Sequence, residues 1–110
     1  MTKINMAPLS VNKAYSGRHF PTRELKEFKN SFPFLLPKHI KIPEDKIQIK
    51  LLFGVSNKGS DVDNLCKCVI DGLSSSYEFN DNRVYKVIAE KSIVEKGNEF
   101  IEFEITEYKQ

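Results

Sequence analysis

Apolar and polar residues alternate most clearly in two stretches. Residues 46–55, Lys-Ile-Gln-Ile-Lys-Leu-Leu-Phe-Gly-Val, begin with strict alternation. That period of two predicts a strand. Phe100 to Tyr108 repeats it, with Phe100, Glu102, Glu104 and Thr106 against Ile101, Phe103, Ile105 and Glu107. A further strand is predicted from about Arg83 to Val94. The turn formers Lys96-Gly-Asn-Glu99 then predict that the last two strands make an antiparallel hairpin. The period changes elsewhere. Leu25, Phe28 and Phe32 fall at helical spacing behind Thr22, a good N-cap, and predict a helix that Pro33 should stop. Leu65, Val69 and Leu73 form a second helical stripe, flanked by Cys66 and Ile70, and Ser74-Ser-Ser reads as its break. Residues 3–7 suit a short first strand. Residues 8–17 are rich in turn formers, and residues 34–45 hold Pro37 and Pro43, so both read as irregular. The expected order is β-α-β-α-β-β, a mixed α/β (α+β) fold with two main helices against a small mixed sheet.

A chain of 110 residues fits a single domain, residues 1–110, with one modest core. No stretch approaches the roughly 18–20 apolar residues of a membrane span, so the expected location is cytoplasmic. Cys66 and Cys68 lie too close for an unstrained disulfide and lack the partners of a zinc site, so they read as small core residues. Charge is uneven along the chain. Residues 1–60 carry 11 basic and 4 acidic residues, a balance of +7, and residues 61–110 carry 6 and 11, a balance of −5. A basic surface for a polyanion beside an acidic centre for a cation fits this asymmetry, and so do two differently solvated faces.

The chemistry concentrates in Asp61-Val-Asp-Asn-Leu-Cys-Lys-Cys-Val-Ile-Asp-Gly-Leu73. Asp61-Val-Asp63 reads as extended, with a helix running from there to about Leu73, so residues i and i+2 point to one face and both carboxylates aim at one point. Hard cations such as Mg²⁺ take such oxygen ligands, together with water and substrate phosphate. Lys67 lies one turn beyond Asp63, where its ammonium can meet a phosphate, and Asn64 and Asp71 share its side of the helix. Plainer readings exist for each piece. Asp63 can be a helix N-cap, Lys67 and Asp71 a surface ion pair at i, i+4, and Asn80-Asp-Asn82 a polar turn.

The whole pattern resembles the RusA family of Holliday junction resolvases. The family's D-x-D-N-x-x-K-x-x-x-D-x-L is matched by Asp61, Asp63, Asn64, Lys67 and Asp71, and its later acidic pair and valine by Asp81 and Val84. Pro8-Leu-Ser-Val-Asn-Lys-Ala-Tyr15 is similar to the family's P-x-S-x-N-x-x-Y opening. The likeness runs from residue 8 to about 107. It implies a bacterial or phage-encoded, homodimeric, Mg²⁺-dependent nuclease that nicks four-way DNA junctions symmetrically, with Mn²⁺ a possible substitute. By the same likeness Asp61, Asp63 and Asp81 are the essential metal ligands, Lys67 the active-site lysine, and Asn64 and Asp71 supporting residues. The chain departs from the family in three places. Asn80 replaces the first acid of the pair, the interval from Asp71 to Asp81 is one residue short, and the usually arginine-rich loop before Asp61 holds only Lys58.

Lys13, Arg18, Lys58 and Arg83 are expected to contact flanking phosphates, which position a protein on DNA without reading sequence. Three other functions fit parts of the pattern. They are a DNA-binding module that has lost catalysis, a nuclease for flaps, forks or RNA, and a structural α/β domain without a ligand.

Overall fold

A computed structural model describes residues 1–17 and 20–110. The first strand is β1, Thr2–Ile4, and a single helical turn, α1, Val11–Ala14, follows it. The Ser10 side chain caps that turn by accepting from the Lys13 amide. The segment expected to be loop thus contains a helical turn, stabilised by a cap. Two short strands, β2, Tyr15–Ser16, and β3, Phe20–Pro21, pair antiparallel and lead into α2, Arg23–Leu35. Thr22 caps α2 as its sequence suggests, accepting from the Leu25 amide. Its hydroxyl also donates to the Lys13 and Ala14 carbonyls, which ties α2 to α1.

Pro33 does not stop α2. It lies inside the helix, in the last turn. A proline near a helix end forfeits one backbone bond and leaves little helix downstream to disturb. The remaining residues are β4, Ile47–Val55, α3, Val62–Ser76, a 3₁₀ turn over Asp81–Arg83, β5, Val84–Ile93, and β6, Phe100–Glu107. Ser74-Ser-Ser is the final turn of α3 and not a break, and Tyr77 closes the helix with its amide on the Leu73 carbonyl.

Among the described residues the main sheet has the order β1-β6-β4-β5. β4 is central, with β5 parallel on one side and β6 antiparallel on the other. The predicted hairpin of the last two strands does not exist, because β4 lies between them. The fold class is mixed α/β as expected, with α2 and α3 as its main helices.

The core lies between the helices and one face of the sheet. Ile47, Ile49, Leu51 and Phe53 point from β4 into it, while Lys50 faces outward. Ile101 and Phe103 of β6 join them, and α3 contributes Leu65, Val69 and Leu73, the stripe read from the sequence. Each such large side chain contributes about 1.5–3 kcal/mol on burial. Phe32 of α2 lies against Gly72 of α3, whose missing Cβ leaves room for the ring. Cys68 is buried on the same helix, and Cys66 is half-buried. No helix among the described residues is long and apolar enough to cross a membrane.

Candidate active site

The parallel pair β4–β5 needs a crossover, and α3 supplies it. The route from Val55 to α3 is a five-residue loop, 56–60, built around Asn57. The Asn57 side-chain oxygen accepts from the Gly59 amide at 2.8 Å, and its carbonyl from the Ser60 amide at 3.2 Å. Asp61 follows at the N-cap of α3 with φ −83° and ψ 129°. An aspartate there ordinarily accepts from an amide of the first turn. Asp61 makes no such bond, so its carboxylate is not spent on the helix.

The stretch Asp61-Val-Asp63 is therefore not extended. Val62 and Asp63 already belong to α3, and Asp63 lies in its first turn, where the helix dipole favours an anion. The geometric reason for placing both carboxylates on one strand face does not hold. What brings them near each other is the helix start. Asp63 also acts on Cys66 one turn on: burial, and then the Asp63 charge, push the Cys66 thiol above its ordinary value.

A cleft of about 320 Å³ opens beside this helix start. Asp61 and Asn64 line one wall, Ser10, Asn12 and Lys13 of the α1 region another, and Ser56, Asn57 and Glu99 the rest. Lys13 thus stands in the same cleft as Asp61. In the sequence Glu99 reads only as part of a turn. Its carboxylate accepts from the Ser56 hydroxyl at 3.0 Å and from the Gly97 amide at 2.8 Å. Its own backbone amide, then the Ser56 hydroxyl and the Gly97 amide, hold the carboxyl below the usual range. Nothing local marks it, because β6 reaches the cleft only by pairing with β4, Gly54 opposite Phe100.

The other expected site residues are distributed differently. Lys67 pairs with Asp71, Nζ to Oδ2 at 3.2 Å, and that hydrogen bond and charge raise its pKa. Lys58 presents its carbonyl to Lys91, and its side chain does not line the cleft. Arg83 spends its guanidinium on the Pro43 and Asp45 carbonyls. Arg18 lies outside the described residues.

Asp81 is the main correction. It begins the 3₁₀ turn just before β5, where Asn80 caps by accepting from the Asn82 amide at 3.0 Å. Val84 pairs with Ile47, the start of β4, whereas Asp61 follows the end of β4. The 15 residues of α3 separate the two ends by roughly 22 Å at 1.5 Å per residue. Accordingly, no group of three or more ligating side chains is close enough to hold an ion among the described residues. Within one chain the three carboxylates do not converge.

The donors at the Asp61 end still suit a hard cation. They are carboxylate, amide and hydroxyl oxygens, with no thiolate or imidazole in the cleft wall. Asp61 would hold such an ion from the cleft wall, with Asp63, exposed in the first turn of α3 and outside that wall, as its neighbour in the chain, and Lys13 and Asn64 would be left for a phosphate.

The family model of endodeoxyribonuclease RusA matches residues 9–106. A search of curated proteins gives no match.

Proposed function

The chain belongs to the RusA family of endodeoxyribonucleases. From that premise we propose that it is a Mg²⁺-dependent homodimer that resolves four-way DNA junctions by paired, symmetric nicks. One observation carries the metal reading: Asp61 occupies a helix N-cap without capping, at the rim of a polar cleft that also holds Lys13. A carboxylate kept out of the helix's own hydrogen bonding is available to a cation.

Hydrolysis adds water to phosphorus and breaks one ester bond. A bound Mg²⁺ supplies Lewis acidity and a more acidic water. The chain's residues do the rest. Asp61 and Asp63 would hold the ion at the start of α3. Lys13 and Lys67 neutralise phosphate charge, Lys67 after leaving Asp71, from which it is separated by no more than a surface ion pair. Asn64 and Asn12 offer amides to the DNA backbone.

The position of Asp81 bears on the assembly. Among the described residues β5 pairs with β4 alone, so its outer edge is open, and Tyr85, Val87 and Ile93 on it are exposed. Val62, Cys66 and Ile70, one turn apart along α3, are only half-buried. An open strand edge next to apolar side chains favours pairing with a second copy. Two copies joined antiparallel along β5 by a two-fold axis would bring Asp81 of the partner subunit to the end of the sheet that carries Asp61 and Asp63. Each metal site would then need both subunits, and two sites would face two strands of one junction.

The deciding experiment is cleavage of a synthetic four-way junction with and without Mg²⁺, beside linear duplex, flap, fork and RNA substrates. Paired nicks of like polarity in the junction alone are expected. Equal cutting of linear or flap DNA would make the protein a nuclease of another specificity. Binding without cation-dependent cutting would make it a DNA-binding module.

A further inference from the structure

The loop before Asp61 is held from outside as well as by its Asn57 turn. Lys91, on β5 opposite Phe53, reaches over it. Its ammonium donates to the Lys58 carbonyl at 3.0 Å and to the Ser60 carbonyl at 2.5 Å. The second of these belongs to the residue just before Asp61. On the other side Glu99 accepts from Ser56, the first residue of the loop. One end of the five-residue loop is therefore tied to β5 and the other to the residue just before β6.

We propose that Lys91 is a positioning residue for the metal-binding end of α3: by fixing the Lys58–Ser60 backbone it sets the direction of the uncapped Asp61 carboxylate. This rests on the reading of Asp61 as a metal ligand. Three physical points support it. An ammonium has three donors and can serve two carbonyls at once, which a neutral amide of the same reach does less well. Asp61 gains no orientation from capping, so the backbone that leads into it is what aims it. The clamp is anchored on β5 where it pairs continuously with β4, from Gln48 opposite Lys86 to Val55 opposite Ile93, and rigid elements place ligands more closely than loops do. Mg²⁺ tolerates little departure from octahedral geometry, so a loosened loop weakens binding first.

The test uses the full chain as Lys91→Met and Lys91→Arg, compared with wild type in three measurements. Amide hydrogen exchange is followed at residues 57–62 without metal. Mn²⁺ binding is titrated by calorimetry. Junction binding is measured in Ca²⁺. For Lys91→Met, faster exchange at Gly59 and Ser60, whose amides are bonded to Asn57, is expected, with Mn²⁺ binding weakened roughly 10–100-fold, the scale for losing a group that orients a metal ligand. Junction binding should stay within about two-fold, because that affinity is set mainly by contacts to phosphates. Lys91→Arg, which keeps the charge and several donors, should recover most of the Mn²⁺ affinity. Unchanged exchange and unchanged Mn²⁺ affinity in Lys91→Met would overturn the proposal. So would a lower melting temperature with Mn²⁺ affinity intact, which would make Lys91 a structural tether. If wild type binds no Mn²⁺, the metal reading of Asp61 fails first, and the role of Lys91 fails with it.

Discussion

Lys67 Nζ lies 3.2 Å from Asp71 Oδ2, one turn further along α3, so the lysine expected beside Asp63 is engaged in the opposite direction along the helix. Both side chains are about half exposed. After solvent screening such a pair is worth a few tenths of a kcal/mol, about 0.3–0.5 at this spacing. A phosphate can compete for the lysine at that cost.

Substitutions at the two positions should therefore separate. Lys67→Ala is expected to slow junction cleavage about 10²-fold, the scale of losing one electrostatic donor, with the melting temperature nearly unchanged. Asp71→Asn should keep most of the activity. The bond raises the Lys67 pKa above 10.5, so its small stabilisation is complete below that value and is lost as pH rises through the raised one. Steady-state cleavage and thermal melts from pH 8 upward check both. Equal loss in the two variants would mean that the pair acts as a unit.

The carboxylates allow a test of shared sites. Asp61→Asn, Asp63→Asn and Asp81→Asn should each abolish Mg²⁺-dependent cleavage and leave far-ultraviolet circular dichroism unchanged. Mixed dimers of Asp63→Asn with Asp81→Asn should then regain one working site and nick one strand per junction. Sites contained within single chains would leave that mixture inactive. The restored nick, seen on a denaturing gel, distinguishes the two arrangements.

Glu99 makes a pH prediction. Its folded carboxyl is held below the usual carboxylate range by backbone amides and the Ser56 hydroxyl. A depressed carboxyl contributes stability above its unfolded pKa and loses it as pH falls through the folded one. Glu99→Gln should therefore melt lower than wild type near neutral pH, and the difference should shrink to nothing in acid below the folded value. A difference that does not change with pH would assign the effect to packing.

Gly72 tests the helix pair. A Cβ there would sit 2.6 Å from Phe32 Cδ2 and 2.7 Å from Cε2, and the ring is fully buried. Gly72→Ala should cost about 1–3 kcal/mol through overpacking, despite alanine's better helix propensity. Urea denaturation measures it. A stabilised variant would show that α2 shifts freely.

Some of this was legible from residues alone. Leu65, Val69 and Leu73 are buried as their spacing predicts, and Thr22 caps where it should. These are local features, fixed by helical periodicity and one side chain's reach. The strand partners were not legible. Lys96-Gly-Asn-Glu99 reverses the chain, but no local signal says that β4 inserts between the strands it separates. The site divides the same way. The motif locates Asp61 and Asp63 but not their geometry, because an N-cap has extended dihedrals and looks like a strand end. Glu99 and Lys91 carry no local signal, because they reach the loop only through sheet pairing across the chain.

The central place of β4 also governs how the chain can assemble. A meander could zip from one tight turn, but here Ile47 must find Val84, and then Gly54 must find Phe100, before the middle strand is satisfied on both sides. The first strand waits longest, since Thr2 pairs with Phe103. Such distant pairings make folding slow relative to helical proteins of this size, because loop entropy is lost before contacts repay it. The segment from Ile47 to Ile93, which contains the acidic end of α3, closes the shortest of these loops. Loop entropy therefore predicts that this pairing nucleates the sheet and that β1 joins it last.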